Sequence, residues 1–230
     1  MPLIPSDVRA VFFDAVGTLL FPEPSAPSVY ADAARLFGLH LSASEVRTRF
    51  IAAYRREEAA DVAAKWVTSE DRERDRWRVI VADTLAGVTD LEACYGYLFD
   101  HFAKPSAWHV APDTAEVLLT LQSRGFILGM GSNYDARLWS LLDAFQELAP
   151  LRERVIISAA VGVRKPGLGF FHEVTRAAGC EPGSVLFVGD DVGNDYEGAT
   201  AAEMHAMLLD LHAKHPNVPH RITQLVELLY

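Results

Sequence analysis

Four clusters of polar residues follow short apolar stretches of the sequence and could carry chemistry. They are Asp14, Ser132-Asn133, Lys165-Pro166 and the acidic loop from Gly189 to Asp195. In an open parallel sheet, reactive groups gather beyond the carboxyl ends of strands, where the loops converge on a crevice. The four clusters are therefore candidates for parts of one site.

The acidic residues indicate a nucleophile and a metal site. Asp14 ends an apolar stretch and precedes Gly17, so its carboxylate could be presented to both a metal and an electrophile. Asp190, Asp191 and Asp195 repel one another unless a cation neutralises them. A hard divalent ion, Mg²⁺ above all, suits oxygen ligands better than zinc, because no Cys or His stands nearby. The plainer alternatives are a turn cap for Asp14 and a solvated acidic loop.

The other two clusters could bind an anion. Ser132 and Asn133 are predicted to open a helix that begins near Asp135, and the N–H groups at a helix N-terminus attract anions. Pro166 restricts Lys165 to an extended backbone, which helps to aim its point charge. In isolation, the Ser-Asn pair could equally be a plain helix cap and the lysine a surface residue.

The elements that would position these clusters form an α/β pattern. Five apolar stretches have the length and composition of strands buried on both faces of a parallel sheet, namely Ala10 to Phe13, Phe126 to Gly131, Val155 to Ile157, Val185 to Val188 and Ala206 to Leu209. Helical patterns of crossover length accompany the later strands, at Pro112 to Arg124, Ala136 to Phe145, Gly169 to Ala178 and Tyr196 to Ala202. The fold class predicted is α/β.

A helical segment interrupts this pattern after the first strand. Residues 28–102 carry helix-period patterns without a convincing strand, and Ser42 with Glu45 has the form of a capping box. The alternating charges of Arg55 to Arg78 are interpreted as a solvated helix face. The domains predicted are a core of residues 1–21 and 106–230 and a helical domain of residues 22–105.

Composition and charge limit the classes of function. The 230 residues carry a net charge of −10, which removes the positive surface that sequence-independent nucleic-acid binding needs. A small polar substrate is therefore favoured, and no nucleic-acid partner is expected. Two cysteines without metal-ligand spacing, no signal-peptide pattern and no apolar stretch of membrane-spanning length predict a cytoplasmic protein without a membrane partner. The oligomeric state, monomer or homodimer, is left open.

Taken together, the four clusters resemble the haloacid dehalogenase superfamily. Their order along the chain is similar to that superfamily over the whole core, and the helical insertion lies where its subfamily I carries a helical C1 cap. The stretches Asp14 to Leu19, Gly131 to Asp135 and Val188 to Asp191 most resemble its branch of haloacid dehalogenase-like hydrolase domain-containing proteins. The resemblance implies a Rossmann-like three-layer core with a parallel sheet and an inserted all-helical cap.

The resemblance also implies a chemistry. Asp14 would attack the phosphorus of a small phosphate ester and form an aspartyl-phosphate, which water then hydrolyses. Ser132 and the backbone of Asn133 would bind phosphate oxygens, and Lys165 would neutralise charge on the nucleophile and the phosphoryl group. The implied Mg²⁺ ligands are Asp14, the backbone carbonyl of Val16, Asp190, and Asp191 or Asp195 as a further ligand or a partner of the ligands.

Val16 departs from the pattern of the family's phosphatases, which usually have a second aspartate at this position as general acid and base. Valine cannot protonate a leaving alkoxide, so slow turnover of alkyl phosphates is predicted. Two alternatives stay open, a catalytically silent protein that binds a phosphorylated ligand or a partner, and a 2-haloacid dehalogenase. No histidine is assigned a catalytic role, and the four tryptophans, Trp66, Trp77, Trp108 and Trp139, are interpreted as packing residues.

Overall fold

A six-stranded parallel sheet forms the centre of the computed structural model, which describes residues 3–230. The strands of the described chain are β1 (Ala10–Phe13), β2 (Leu20–Pro22), β3 (Trp108–Val110), β4 (Ile127–Ser132), β5 (Val155–Ile157), β6 (Val185–Gly189), β7 (His205–Leu209) and β8 (Arg221–Ile222). The order across the sheet is β5-β4-β1-β6-β7-β8, and every neighbouring pair in it is parallel. Strands β2 and β3 form a separate antiparallel pair.

The helices fall into two groups along the chain. Four lie between β2 and β3, namely α1 (Ala26–Leu36), α2 (Ala43–Ala63), α3 (Glu70–Thr84) and α4 (Leu91–Phe102). The others accompany the parallel sheet, namely α5 (Thr114–Ser123), α6 (Leu138–Ala144), α7 (Ser158–Val161), α8 (Leu168–Ala178) and α9 (Gly198–Ala201). No helix within residues 3–230 is long and apolar enough to span a membrane.

The sheet is covered on both faces, as the alternating side chains of β1 show. Val11 and Phe13 belong to one hydrophobic cluster, which includes residues of α5 and α6. Ala10 and Phe12 belong to a second cluster on the other face, with residues of α8 and α9. Successive strand residues point to opposite faces, so the two clusters are the two interfaces of a three-layer sandwich. The predicted α/β fold with a Rossmann-like core is confirmed.

The five predicted strands are all present, but two details of the prediction were wrong. The helix expected near Asp135 begins at Leu138, because the Asp135 carboxylate accepts the backbone N–H of Arg137 and its guanidinium in a turn that precedes the helix. The helix expected from Tyr196 is a π-helical turn over Val192–Glu197 followed by the short α9.

Helices α1 to α4 have a hydrophobic cluster of their own, which includes Ala34, Val46, Leu85 and Leu98. The predicted capping box is present at the start of α2, where Ser42 accepts the N–H of Glu45 and the Glu45 carboxylate accepts the N–H of Ser42. The chain enters this helical insertion through β2 and leaves it through β3.

Candidate active site

The order of the strands brings three of the predicted site residues together. Strand β1 lies between β4 and β6, so Asp14 after β1, Ser132 at the end of β4 and Asp190 after β6 share the carboxyl edge of the sheet. The backbone N–H of Asp14 donates to the carbonyl of Val188 at 2.8 Å and so extends the sheet by one residue. Asp14 and Ser132 are buried.

Lys165 reaches the same edge from the loop before α8. Its ammonium donates to Asp14 Oδ1 at 2.6 Å, to Asp195 Oδ1 at 2.6 Å and to the carbonyl of Gly131 at 3.0 Å. All three of its hydrogens are therefore used. Burial by itself would lower the pKa of this ammonium, but Asp14 and Asp195 more than offset it and hold the pKa above its usual range. Lys165 is thus a permanent cation beside Asp14.

Replacing Lys165 with methionine should destabilise the metal-free protein by about 3–5 kcal/mol, because it leaves the buried carboxylates of Asp14 and Asp195 without a counter-charge. Urea unfolding followed by circular dichroism measures the change in the free energy of unfolding. Lys104→Met, which alters a solvent-exposed lysine, is the matched control and should change it little. Equal midpoints and slopes for Lys165→Met and the parent would contradict this reading of the ion pairs.

Asp14, Asp190 and Asp195 form an acidic group in which one carboxylate oxygen of each lies within 4.8 Å of the others. With all three carboxylates ionised and Lys165 included, the group has a net charge of minus two, which a divalent cation would balance. The Asp190 residue is exposed, but its carboxylate packs against Gly17. This local burial and the charges of Asp14 and Asp195 raise the pKa of Asp190. Burial, opposed by Lys165, also raises the pKa of Asp195.

Asp191 lines the same cavity but lies outside the acidic group. Its carboxylate accepts the N–H of Asn194 at 2.8 Å, and its own N–H donates to Asp195 Oδ2 at 3.1 Å. Asp191 therefore fixes the π-helical turn and orients Asp195. The sequence offered Asp191 or Asp195 as a further metal ligand, and only Asp195 lies in the acidic group with Asp14.

Gly17 lets the loop after Asp14 pass against the acidic residues. It has φ +95°, a conformation that residues with a Cβ rarely adopt, and a Cβ added there would lie 2.4 Å from Asp190 Oδ2. A glycine is therefore required at this position for both reasons.

Ser132 and Asn133 have different roles from those of residues at a helix N-terminus. Helix α6 begins at Leu138, so neither residue opens it. Ser132 lies buried against the cavity. The Asn133 side chain accepts the N–H of Lys165 at 2.8 Å and donates to its carbonyl at 3.0 Å. This two-way pairing, which sequence spacing could not reveal, holds the Lys165 backbone in place.

A cavity of about 360 Å³ lies above these residues, between the sheet edge and the helical insertion. Val16, Ser132, Asn133 and the acidic group line its base, and aromatic residues of the insertion line much of the rest. The interpretation of all four tryptophans as packing residues was incomplete, because Trp77 and Trp108 line this cavity. No histidine within residues 3–230 lines it.

The run from Arg55 to Arg78 is not a uniformly solvated face, which corrects the sequence interpretation. Asp61, Glu73 and Arg76 are each only 1% exposed. Arg76 Nε donates to Asp61 at 3.0 Å, and Arg164, which precedes Lys165, pairs with both Asp61 and Glu73. A signal for this burial is the spacing in α3, where Glu73, Arg76 and Ile80 fall on one helix face.

A buried aspartate paired with a lysine, within an acidic group at the carboxyl edge of a parallel α/β sheet, is an arrangement that indicates a hydrolase. The sequence profile of the haloacid dehalogenase-like hydrolase family matches residues 8–203. The chain belongs to this family.

Two relatives in sequence and one solved structure of the same fold are similar to the chain. The chain is 31% identical to haloacid dehalogenase-like hydrolase domain-containing protein 3 of Homo sapiens, over 88% of this chain and 82% of that protein. It is 28% identical to a glyceraldehyde 3-phosphate phosphatase of Methanothermobacter thermautotrophicus, over 88% of this chain and 86% of that protein. An L-2-haloacid dehalogenase of Xanthobacter autotrophicus, 18% identical, superposes with a TM-score of 0.71 over 96% of both chains. The predicted family and branch are confirmed.

Proposed function

We propose that this protein is a Mg²⁺-dependent phosphatase of small phosphate esters that works through an aspartyl-phosphate at Asp14. The observation that carries the proposal is the pairing of Asp14 with Lys165 at 2.6 Å inside the acidic group, at the base of the cavity. A dehalogenase could also use Asp14 as its nucleophile, but it needs no metal ion, so the carboxylates of Asp190 and Asp195 would lack the cation that balances them. The phosphatase relative at 28% identity supports the same choice.

The side chains supply the steps of this reaction as follows. One Asp14 oxygen attacks phosphorus as the ester oxygen leaves, and water then hydrolyses the acyl phosphate. Lys165, which donates to Asp14 Oδ1, neutralises charge on the nucleophile and on the phosphoryl group. Ser132 and the backbone of Asn133 bind the phosphate oxygens.

The residues of the acidic group fit a magnesium ion. Their donors are carboxylate oxygens, the ligands that hard divalent ions prefer. Asp14, the carbonyl of Val16, Asp190 and Asp195 would hold the ion, and Asp191 would orient Asp195. When bound, Mg²⁺ supplies charge neutralisation and polarises the phosphoryl oxygens.

The helical insertion, residues 22–105, is proposed to act as a cap that excludes water and selects the substrate. Because Val16 offers no acidic proton, the protein should prefer esters with acidic leaving groups, such as aryl phosphates, over alkyl phosphates.

Hydrolysis of para-nitrophenyl phosphate, with a titration of Mg²⁺ after treatment with EDTA, tests the proposal. The parent should be active only with Mg²⁺, and Asp190→Asn should need at least about 10-fold more Mg²⁺ for half-maximal activity, because it removes a ligand charge. Asp100→Asn, a change at an exposed aspartate, should behave as the parent. Activity that EDTA leaves intact would overturn the role of the metal.

A phosphate-binding protein without turnover is the second candidate, and Val16 together with a cavity that no described histidine lines favours it. It predicts Mg²⁺-dependent binding of a phosphonate without hydrolysis of any ester. Consumption of 2-chloropropionate without metal would instead identify the dehalogenase.

A further inference from the structure

Arg76 is a buried arginine of α3 that lines the same cavity as Asp14, Ser132 and Lys165. Its Nε donates to Asp61. The central carbon of its guanidinium lies over the Tyr54 ring, 4.5 Å from the ring centre. Its Nη2 is buried, and within residues 3–230 no group accepts a hydrogen bond from it. A buried guanidinium nitrogen without an acceptor is costly, so a ligand that shifts the neighbouring side chains and brings an acceptor to this nitrogen would gain from satisfying it.

The charges around Arg76 are already balanced. Three arginines and three carboxylates form one network of ion pairs, and its members are Arg72, Arg76, Arg164, Glu57, Asp61 and Glu73. A ligand carboxylate beside Arg76 would therefore add a buried negative charge without a free cation to match it. An uncharged oxygen, such as a carbonyl or hydroxyl, would accept the hydrogen bond without that cost.

The cavity that Arg76 lines is suited to an apolar body. Its aromatic lining includes Tyr30, Phe50, Tyr54, Trp77, Phe99 and Trp108. Flat aromatic or apolar groups pack well against such rings. The proposed phosphate site, at the sheet edge, belongs to the same cavity.

We propose that Arg76 is a specificity-determining residue that binds an uncharged oxygen on the substrate. The substrate class is then a phosphate monoester with an aromatic or apolar body that also carries a carbonyl or hydroxyl oxygen. This inference rests on the proposed function, because it assumes that the phosphate lies beside Asp14.

Binding of four phosphonates, which cannot be hydrolysed, tests the inference without any effect of the leaving group. Isothermal titration calorimetry with Mg²⁺ gives the Kd of benzylphosphonate and of its 4-acetyl, 4-isopropyl and 4-carboxy derivatives. The acetyl and isopropyl groups have nearly the same size, and only the acetyl group has an acceptor. The parent should bind the acetyl compound about 10- to 100-fold more tightly than the isopropyl compound, and more tightly than the carboxy compound.

The variants assign that preference to one side chain. Arg76→Met should reduce the acetyl-to-isopropyl ratio of Kd values to near one, and Arg76→Lys, which keeps the charge of the network, should keep only part of it. Arg72→Met is the matched control, because Arg72 belongs to the network but is not among the residues that line the cavity, and its ratio should equal that of the parent. The parent's own ratio is a test even if Arg76→Met does not fold.

Three results would overturn the inference. Equal binding of the acetyl and isopropyl compounds by the parent would exclude an acceptor site, and an unchanged ratio in Arg76→Met would place that site elsewhere. Tighter binding of the carboxy compound would exclude an uncharged partner. If none of the phosphonates bound in the presence of Mg²⁺, the proposed function itself would fail, and the inference with it.

Discussion

Asp14→Asn should reduce kcat for Mg²⁺-dependent hydrolysis of para-nitrophenyl phosphate by at least about 10³-fold. An amide oxygen is too weak a nucleophile to form the acyl phosphate, and removal of a group used only in the transition state lowers kcat directly. The change is nearly isosteric and keeps an oxygen within reach of the Lys165 ammonium, which donates to Asp14 Oδ1 at 2.6 Å. The loss should therefore be one of chemistry and not of folding.

Two measurements distinguish a loss of chemistry from a loss of folding. Urea unfolding shows whether Asp14→Asn is folded, and mass spectrometry of acid-quenched enzyme should find phosphate on the peptide that contains Asp14 in the parent alone. Asp143→Asn, at an exposed aspartate, is the control and should keep the parent's kcat. Substantial turnover by folded Asp14→Asn would rule out Asp14 as the nucleophile.

Val16→Asp should raise turnover, by about 10²- to 10⁴-fold for alkyl phosphates and by less for para-nitrophenyl phosphate. Positioned general acids and bases contribute on this scale, and the gain is largest when the leaving group most needs a proton. Val16 is suited to the change because it lines the cavity and is only partly buried. Steady-state kinetics on both substrates measure the two gains.

Val16→Asn is the matched control, because it has nearly the shape of aspartate but no acidic proton. It should show neither gain. An equal rise in Val16→Asn and Val16→Asp would attribute the effect to polarity or to altered packing against the core. No rise in a folded Val16→Asp variant would mean that this position cannot reach the leaving group.

The parallel core could be predicted closely because its strands are buried on both faces. The observed bounds of β1 and β5 equal the predicted ones, and β6 is one residue longer than predicted, because it ends at Gly189. Strand β8 has two residues and β2 three, which is too short for any periodicity to appear. The β2-β3 pair joins Pro22 to Trp108, and no local pattern indicates a contact over such a separation.

The polar residues of the site could be predicted from the sequence, but their ion-pair and hydrogen-bond partners could not. Asp14, Ser132 and Asp190 follow from the rule that loops at the carboxyl edge converge. The burial of Asp61 and Glu73 depends on Arg164, a residue far along the chain, so the sequence alone favoured a solvated face. For the same reason the role of the Asn133 side chain in holding Lys165 became visible only in three dimensions.

The antiparallel pairing of β2 and β3 also bears on how the helical insertion could be exchanged. Because Pro22 and Trp108 are paired neighbours, the chain leaves the domain of the six-stranded sheet and returns to it at almost the same point. The entropy of closing a loop grows only slowly with its length, so the segment between these strands can lengthen, shorten or be exchanged at little cost to the sheet. The β2-β3 pair is thus a natural junction for grafting another helical insertion, provided that the graft supplies carboxylates for Arg164, which pairs with Asp61 and Glu73 of the present one.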